Sequence, residues 1–87
     1  FLFKGISMTM TPAEAFGHVL KITRKEIGLS QEQLALQSGL DRTFISLLER
    51  GKRQPSLTSI LEVSENLNVS ATELIRLTVE KLHDENS

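Results

Sequence analysis

The sequence contains no cysteine, tryptophan or tyrosine, and only two prolines and four phenylalanines among its 87 residues. Without cysteine, neither a disulfide framework nor a thiolate metal site can support a small core. That fits a reducing compartment, and the expected location is the cytoplasm. His18 and His83 stand far apart, with no partner at ligand spacing, so no metal is expected. There is no nucleophile elbow, no glycine-rich phosphate loop and no H-E-x-x-H, so neither catalysis nor a cofactor is expected. No apolar run approaches the roughly 18 residues that a membrane span needs. The opening Phe1-Leu2-Phe3-Lys4-Gly5-Ile6-Ser7 is too short and too weakly charged for a secretory signal. Residues 1–10 are expected to be an N-terminal arm or a cloning remnant, with Met8 or Met10 as candidate starts.

An excess of one charge is lacking too: ten basic and eleven acidic residues give a formal net charge of −1. This argues against a uniformly basic surface, but the distribution is uneven. Eight basic and five acidic residues precede Leu57, whereas two basic and six acidic ones follow. Arg50, Lys52 and Arg53 crowd around Gly51, so one end of the domain is expected to be locally positive.

Apolar residues at 39% and charged residues at 24% suffice for one small globular domain. Its helices are marked by their caps. Thr11-Pro12-Ala13-Glu14 is a capping box with proline at the first helical position, and Phe16, Leu20 and Ile27 recur at helical spacing until Gly28. The first helix is placed at about 12–27. Ser30-Gln31-Glu32-Gln33 opens a second, carrying Leu34 and Ala35 inward and stopping at Gly39. Asp41 caps a third, at about 42–50, closed by Gly51. After Pro55, Ser56 starts a fourth with Leu57, Ile60, Leu61 and Leu67 on one stripe. Ser70-Ala71-Thr72-Glu73 begins a fifth, running to about Leu82 or His83 and leaving 84–87 as a tail. No stretch alternates with period two, so no strands are expected and the fold class is all-α.

The two short helices joined by Ser38-Gly39-Leu40-Asp41 satisfy the requirements of a helix-turn-helix. Ala35 is small where the helices cross, Gly39 can adopt the positive φ of the turn, and Leu34, Leu40, Ile45 and Leu48 supply apolar contacts. At about 100° per residue from Arg42, Ser46, Arg50, Thr43 and Leu47 fall within about 140°, and Phe44, Leu48 and Ile45 lie opposite. One arc of this helix is hydrogen-bonding and the other is core. Arg42 can pair bidentately with guanine, Thr43 or Ser46 can bond a base edge, and Leu47 can meet a thymine methyl. Gln31, at the head of the second helix, and Arg50, Lys52 and Arg53 are candidate phosphate contacts. On the fifth helix Ala71, Leu74, Ile75, Thr78 and Leu82 form an apolar stripe that Leu77 and Val79 widen, so Ile75, Leu77, Val79 and Leu82 are candidates for a dimer interface.

Leu29-Ser30-Gln31-Glu32-Gln33-Leu34-Ala35, Gly39-Leu40, Phe44-Ile45-Ser46-Leu47-Leu48-Glu49-Arg50-Gly51, Pro55-Ser56-Leu57 and Leu67-Asn68-Val69-Ser70 resemble the signature of the Cro and lambda-repressor-type helix-turn-helix regulators. The resemblance covers about residues 12–76, and the run Arg42-Thr43-Phe44-Ile45-Ser46 is similar to restriction–modification controller proteins. It implies a compact five-helix bundle with a lambda-repressor-like DNA-binding domain at 11–83, a structural salt bridge between Arg24 and Glu49, and binding of a double-stranded operator as a homodimer. Two half-sites are expected, because three or four base contacts cannot select one site in a genome. A competing reading is a protein-interaction module, such as an antitoxin or bridging factor; expected further partners are accordingly the transcription machinery or a toxin.

Overall fold

The computed structural model describes residues 9–86, in the order α1 (Pro12–Glu26), α2 (Gln31–Ser38), α3 (Arg42–Glu49), α4 (Leu57–Asn66) and α5 (Ala71–Asn86). All but the last two residues of the expected N-terminal arm lie outside the described residues. Each helix begins where a short polar side chain can bond its first turn. Both atoms of the capping boxes at Thr11/Glu14 and Ser30/Gln33 are engaged, and Ser56 accepts from the Ser59 amide at 3.0 Å. The box at Ser70 is only half closed. Its hydroxyl accepts from the Glu73 amide, but the Glu73 carboxylate is drawn to Arg76, one turn on. Asp41 occupies the N-cap of α3 without a side-chain cap bond.

The helices stop by a shared mechanism. After α3, the Gly51 amide donates to Leu48 and the Lys52 amide to Leu47, at 3.1 and 2.9 Å, with Gly51 at φ +69°. After α2, Gly39 at φ +69° is followed by a bond from the Leu40 amide to the Ala35 carbonyl. These are Schellman closures, which need a left-handed residue that a β-carbon would strain. They end α3 at Glu49 with Arg50 as its cap, one residue short of the expected end. In contrast, α5 continues past His83 to Asn86, so residues 84–86 of the expected tail are helical. There Lys81 pairs with Glu85, and the Asn86 side chain accepts from the Thr9 and Met10 amides while donating to the Met10 carbonyl.

Phe16, Val19, Leu20, Leu34, Ala35, Ile45, Leu48, Val63, Leu67 and Leu74 form the buried core. α1 lies between α3 and α5, while α2 bridges α3 and α4. The stripe expected on α4 is divided. Leu57 is 74% exposed and Leu61 49%, while Ile60 and the capping Leu67 of that stripe do pack on the core, joined by the buried Ser59, Val63 and Ser64. Serine can take these inward positions because its hydroxyl bonds within the helix; Ser64 donates to the Leu61 carbonyl.

Close approach of α1 to the end of α3 depends on Gly17, which is buried. A β-carbon there would overlap the carbonyl oxygens of Leu48 and Glu49. Neither oxygen belongs to a flexible side chain, so α1 would have to move away from α3. Gly17→Ala is therefore expected to lower stability by about 1–3 kcal/mol or more, despite alanine's better helix propensity. An equal or higher urea midpoint would contradict this packing.

Candidate nucleic-acid interface

The presentation of α3 rests on an ion pair between α1 and the last residue of α3. Arg24 donates from Nε to Glu49 Oε2 at 2.6 Å and from Nη2 to Oε1 at 2.9 Å. The two side chains are only 8% and 2% exposed. The third guanidinium nitrogen, Nη1, donates to the Leu29 carbonyl in the α1–α2 turn at 2.8 Å. Bonding to Glu49 holds the Arg24 pKa above its usual value despite desolvation. No buried side-chain polar atom among the described residues lacks a partner, which is the condition under which a buried charge pair is tolerated.

Gln31 enters the same network. Its Nε2 donates to Glu49 Oε1 at 3.0 Å and the residue is half-buried. It is therefore not the free phosphate ligand expected from its position at the head of α2; one amide N–H is already committed. Glu49 thus gathers α1, α2 and α3 at one carboxylate.

With its inner face fixed by Ile45 and Leu48, α3 turns the opposite arc outward. Arg42 and Thr43 are exposed, and Ser46 and Leu47 are half-exposed. The Arg50 guanidinium lies back along the helix, its Nε 3.4 Å from the Ser46 carbonyl. Lys52 and Arg53 are exposed in the turn set by Gly51. A hydrogen-bonding arc on α3 and three cations at and just after its end are therefore all open to solvent.

The apolar residues nominated on α5 do not share one surface. Leu82 is 5% exposed and belongs to its own subunit's core, and Leu77 is half-buried against that core. Leu82 is a correction to the expected interface, whereas Leu77 keeps part of its surface open. The cause is the packing of α5 along α1, which takes up this side of the helix. Ile75 and Val79, four residues apart, stay more than 40% exposed. Ile75 instead borders a depression with Leu57, Ile60, Ala71 and Thr72. No helix among the described residues is long and apolar enough to cross a membrane.

Two short helices joined by a left-handed glycine turn, the second offering a polar outer arc, define a helix-turn-helix protein. Residues 20–74 match the helix-turn-helix family, and the chain belongs to this family of DNA-binding transcription regulators, in its Cro/C1-type branch. Control protein C.MunI of a Mycoplasma species is 47% identical over 60 residues, which span 68% of this chain and 81% of the relative. The restriction–modification controller protein C.AhdI of Aeromonas hydrophila superposes with a TM-score of 0.70 at 44% identity, over 71% of this chain and 94% of that one. C.Esp1396I, solved as a tetramer in complex with its natural 35 base-pair operator, gives a TM-score of 0.74 at 32% identity over 82% and 93% of the two chains.

Replacing Glu49 by glutamine keeps its shape and leaves the Arg24 charge buried without a counter-charge. Glu49→Gln is expected to cost about 3–5 kcal/mol, whereas Glu73→Gln, which breaks an exposed pair, should leave the urea midpoint unchanged. Equal midpoints for the two variants would contradict the role given to Glu49.

Proposed function

We propose that this protein is a sequence-specific transcriptional regulator that binds a two-fold symmetric operator as a homodimer, with α3 in the major groove. The observation that carries the reading is the outward arc of α3, exposed at Arg42 and Thr43 and followed by the exposed Arg50, Lys52 and Arg53, on a helix locked from behind. Arg42, Thr43, Ser46 and Leu47 read base edges, while Arg50, Lys52 and Arg53 bind phosphates. Gln31 adds a phosphate contact through its second amide N–H. Kinship with C.MunI and C.AhdI favours control of restriction–modification genes, by binding and without catalysis, in the cytoplasm.

The dimer surface is Leu57 and Leu61 of α4 with Ile75 and Val79 of α5, apolar residues left at 42–74% exposure, of which Leu57 and Ile75 line one depression. An isologous contact there sets two recognition helices about 34 Å apart, one turn of DNA. Binding to duplex pools tests the roles. Arg42→Ala should cost about 1–3 kcal/mol and relax preference at one base per half-site, while Lys52→Ala weakens all sequences alike. Uniform loss from Arg42→Ala would refute base reading. In sedimentation, Leu57→Glu should give single chains where the wild type gives pairs; a wild type that stays monomeric at tens of micromolar would refute the dimer.

A further inference from the structure

Arg53 does not project freely from the α3–α4 turn. Its guanidinium carbon lies over the ring of Phe44, 5.6 Å from the centroid, within the range of a cation–π contact. Phe44 is half-buried, and its ring packs against the core, so the platform is held from beneath. A guanidinium stacked on its face keeps its in-plane N–H donors open to another partner. The charge is thereby fixed without being neutralised.

The direction of Phe44 shows which part of DNA such a cation would meet. It points about 200° around α3 from Arg42, away from the arc that carries Thr43 and Ser46. Arg53 accordingly stands on the flank of the recognition helix, beside its first turns. A side chain on this flank, with α3 in the groove, faces the phosphates that line the groove and not the base edges at its floor.

We propose that Phe44 is a positioning residue for DNA binding: its ring pre-places the Arg53 guanidinium as a phosphate clamp beside the N-terminal half of α3. Seating on the backbone and insertion of the reading arc are then linked through one core aromatic. The inference rests on the DNA-binding reading above and adds a role for a residue that the sequence pattern assigned only to the core.

The test is a double-mutant cycle read by binding to mixed-sequence duplex DNA across a salt series, with thermal midpoints confirming that each variant is folded. Arg53→Ala should weaken binding and reduce the slope of log K against log salt by about 0.9, the signature of one lost phosphate contact. Phe44→Leu should weaken binding about two- to five-fold with the slope unchanged, because the cation remains but must be ordered on binding. In the Arg53→Ala background Phe44→Leu should have no further effect, and Phe44→Tyr, which keeps the ring, should behave as wild type. Loss of affinity from Phe44→Leu that is equal in both backgrounds would overturn the inference. A readout that needs no DNA accompanies the cycle: the Arg53 side-chain protons should be shifted upfield by the ring current in the wild type and return to ordinary positions in Phe44→Leu. If Phe44→Leu fails to fold, the wild-type shift decides, and its absence overturns the proposal. Wild-type protein that shows the shift but no salt-dependent DNA binding overturns the DNA reading and this inference together. Wild-type binding without coupling overturns this inference alone.

Discussion

The carboxylate of Glu49 is the point on which the arrangement of the first three helices depends. It accepts two bonds from Arg24 of α1 and one from Gln31 of α2 while standing at the end of α3. A short helix of eight residues has little stability of its own. Its orientation must come from tertiary contacts. Ile45 and Leu48 supply adhesion, but apolar contacts are non-directional and tolerate small rotations. Paired, bidentate hydrogen bonds do not. The buried pair is thus a device of register: it fixes how far α3 is rotated about its own axis, and so which residues form the outer arc. Gly17 permits the same union from the backbone side by letting α1 reach the carbonyls at the end of α3.

Around that union the chain divides into surfaces with different demands. α3 and the turn after it are cationic and polar on the outside, while α4 and α5 hold apolar side chains in the open. Acidic residues concentrate in the second half, where Glu73 and Glu80 are both paired with Arg76 on α5. A nearly neutral protein can therefore attract a polyanion at one edge without attracting it everywhere. The Schellman turn at Gly51 contributes directly to this division, since it lets Arg53 reach back to Phe44 on the flank of α3.

Much of the fold was legible because its signals are local. Capping boxes at Thr11 and Ser30, and glycines at 39 and 51, act within a few residues, so the sequence displays both the cause and the effect. The polar arc of α3 was legible for the same reason. What escaped was set by partners distant in sequence. Periodicity grouped Leu57 and Leu61 with Ile60 and Leu67, of which only the latter two meet the core, and the inward serines at 59 and 64 broke the usual equation of polar with exposed. Leu77 looked surplus and Leu82 available for an interface, but α1 covers that side of α5. Gln31 has the right type and place for a phosphate contact; its bond to Glu49 crosses 18 residues. Gly17 did carry a signal, since a glycine inside an otherwise helical run costs about 1 kcal/mol relative to alanine and so implies a packing reason. Arg53 over Phe44 left none, because a core-facing aromatic and a loop cation are each ordinary alone.

The central claim is that two copies of this helix-turn-helix read one symmetric site. Selection of bound duplexes from a fully random pool tests it most directly, because the pool presupposes neither the operator nor its symmetry. The account predicts enrichment of an inverted repeat whose half-sites are centred about one helical turn apart, occupied by two chains. Enrichment of a single unsymmetrical element occupied by one chain, or no enrichment at all, would contradict it.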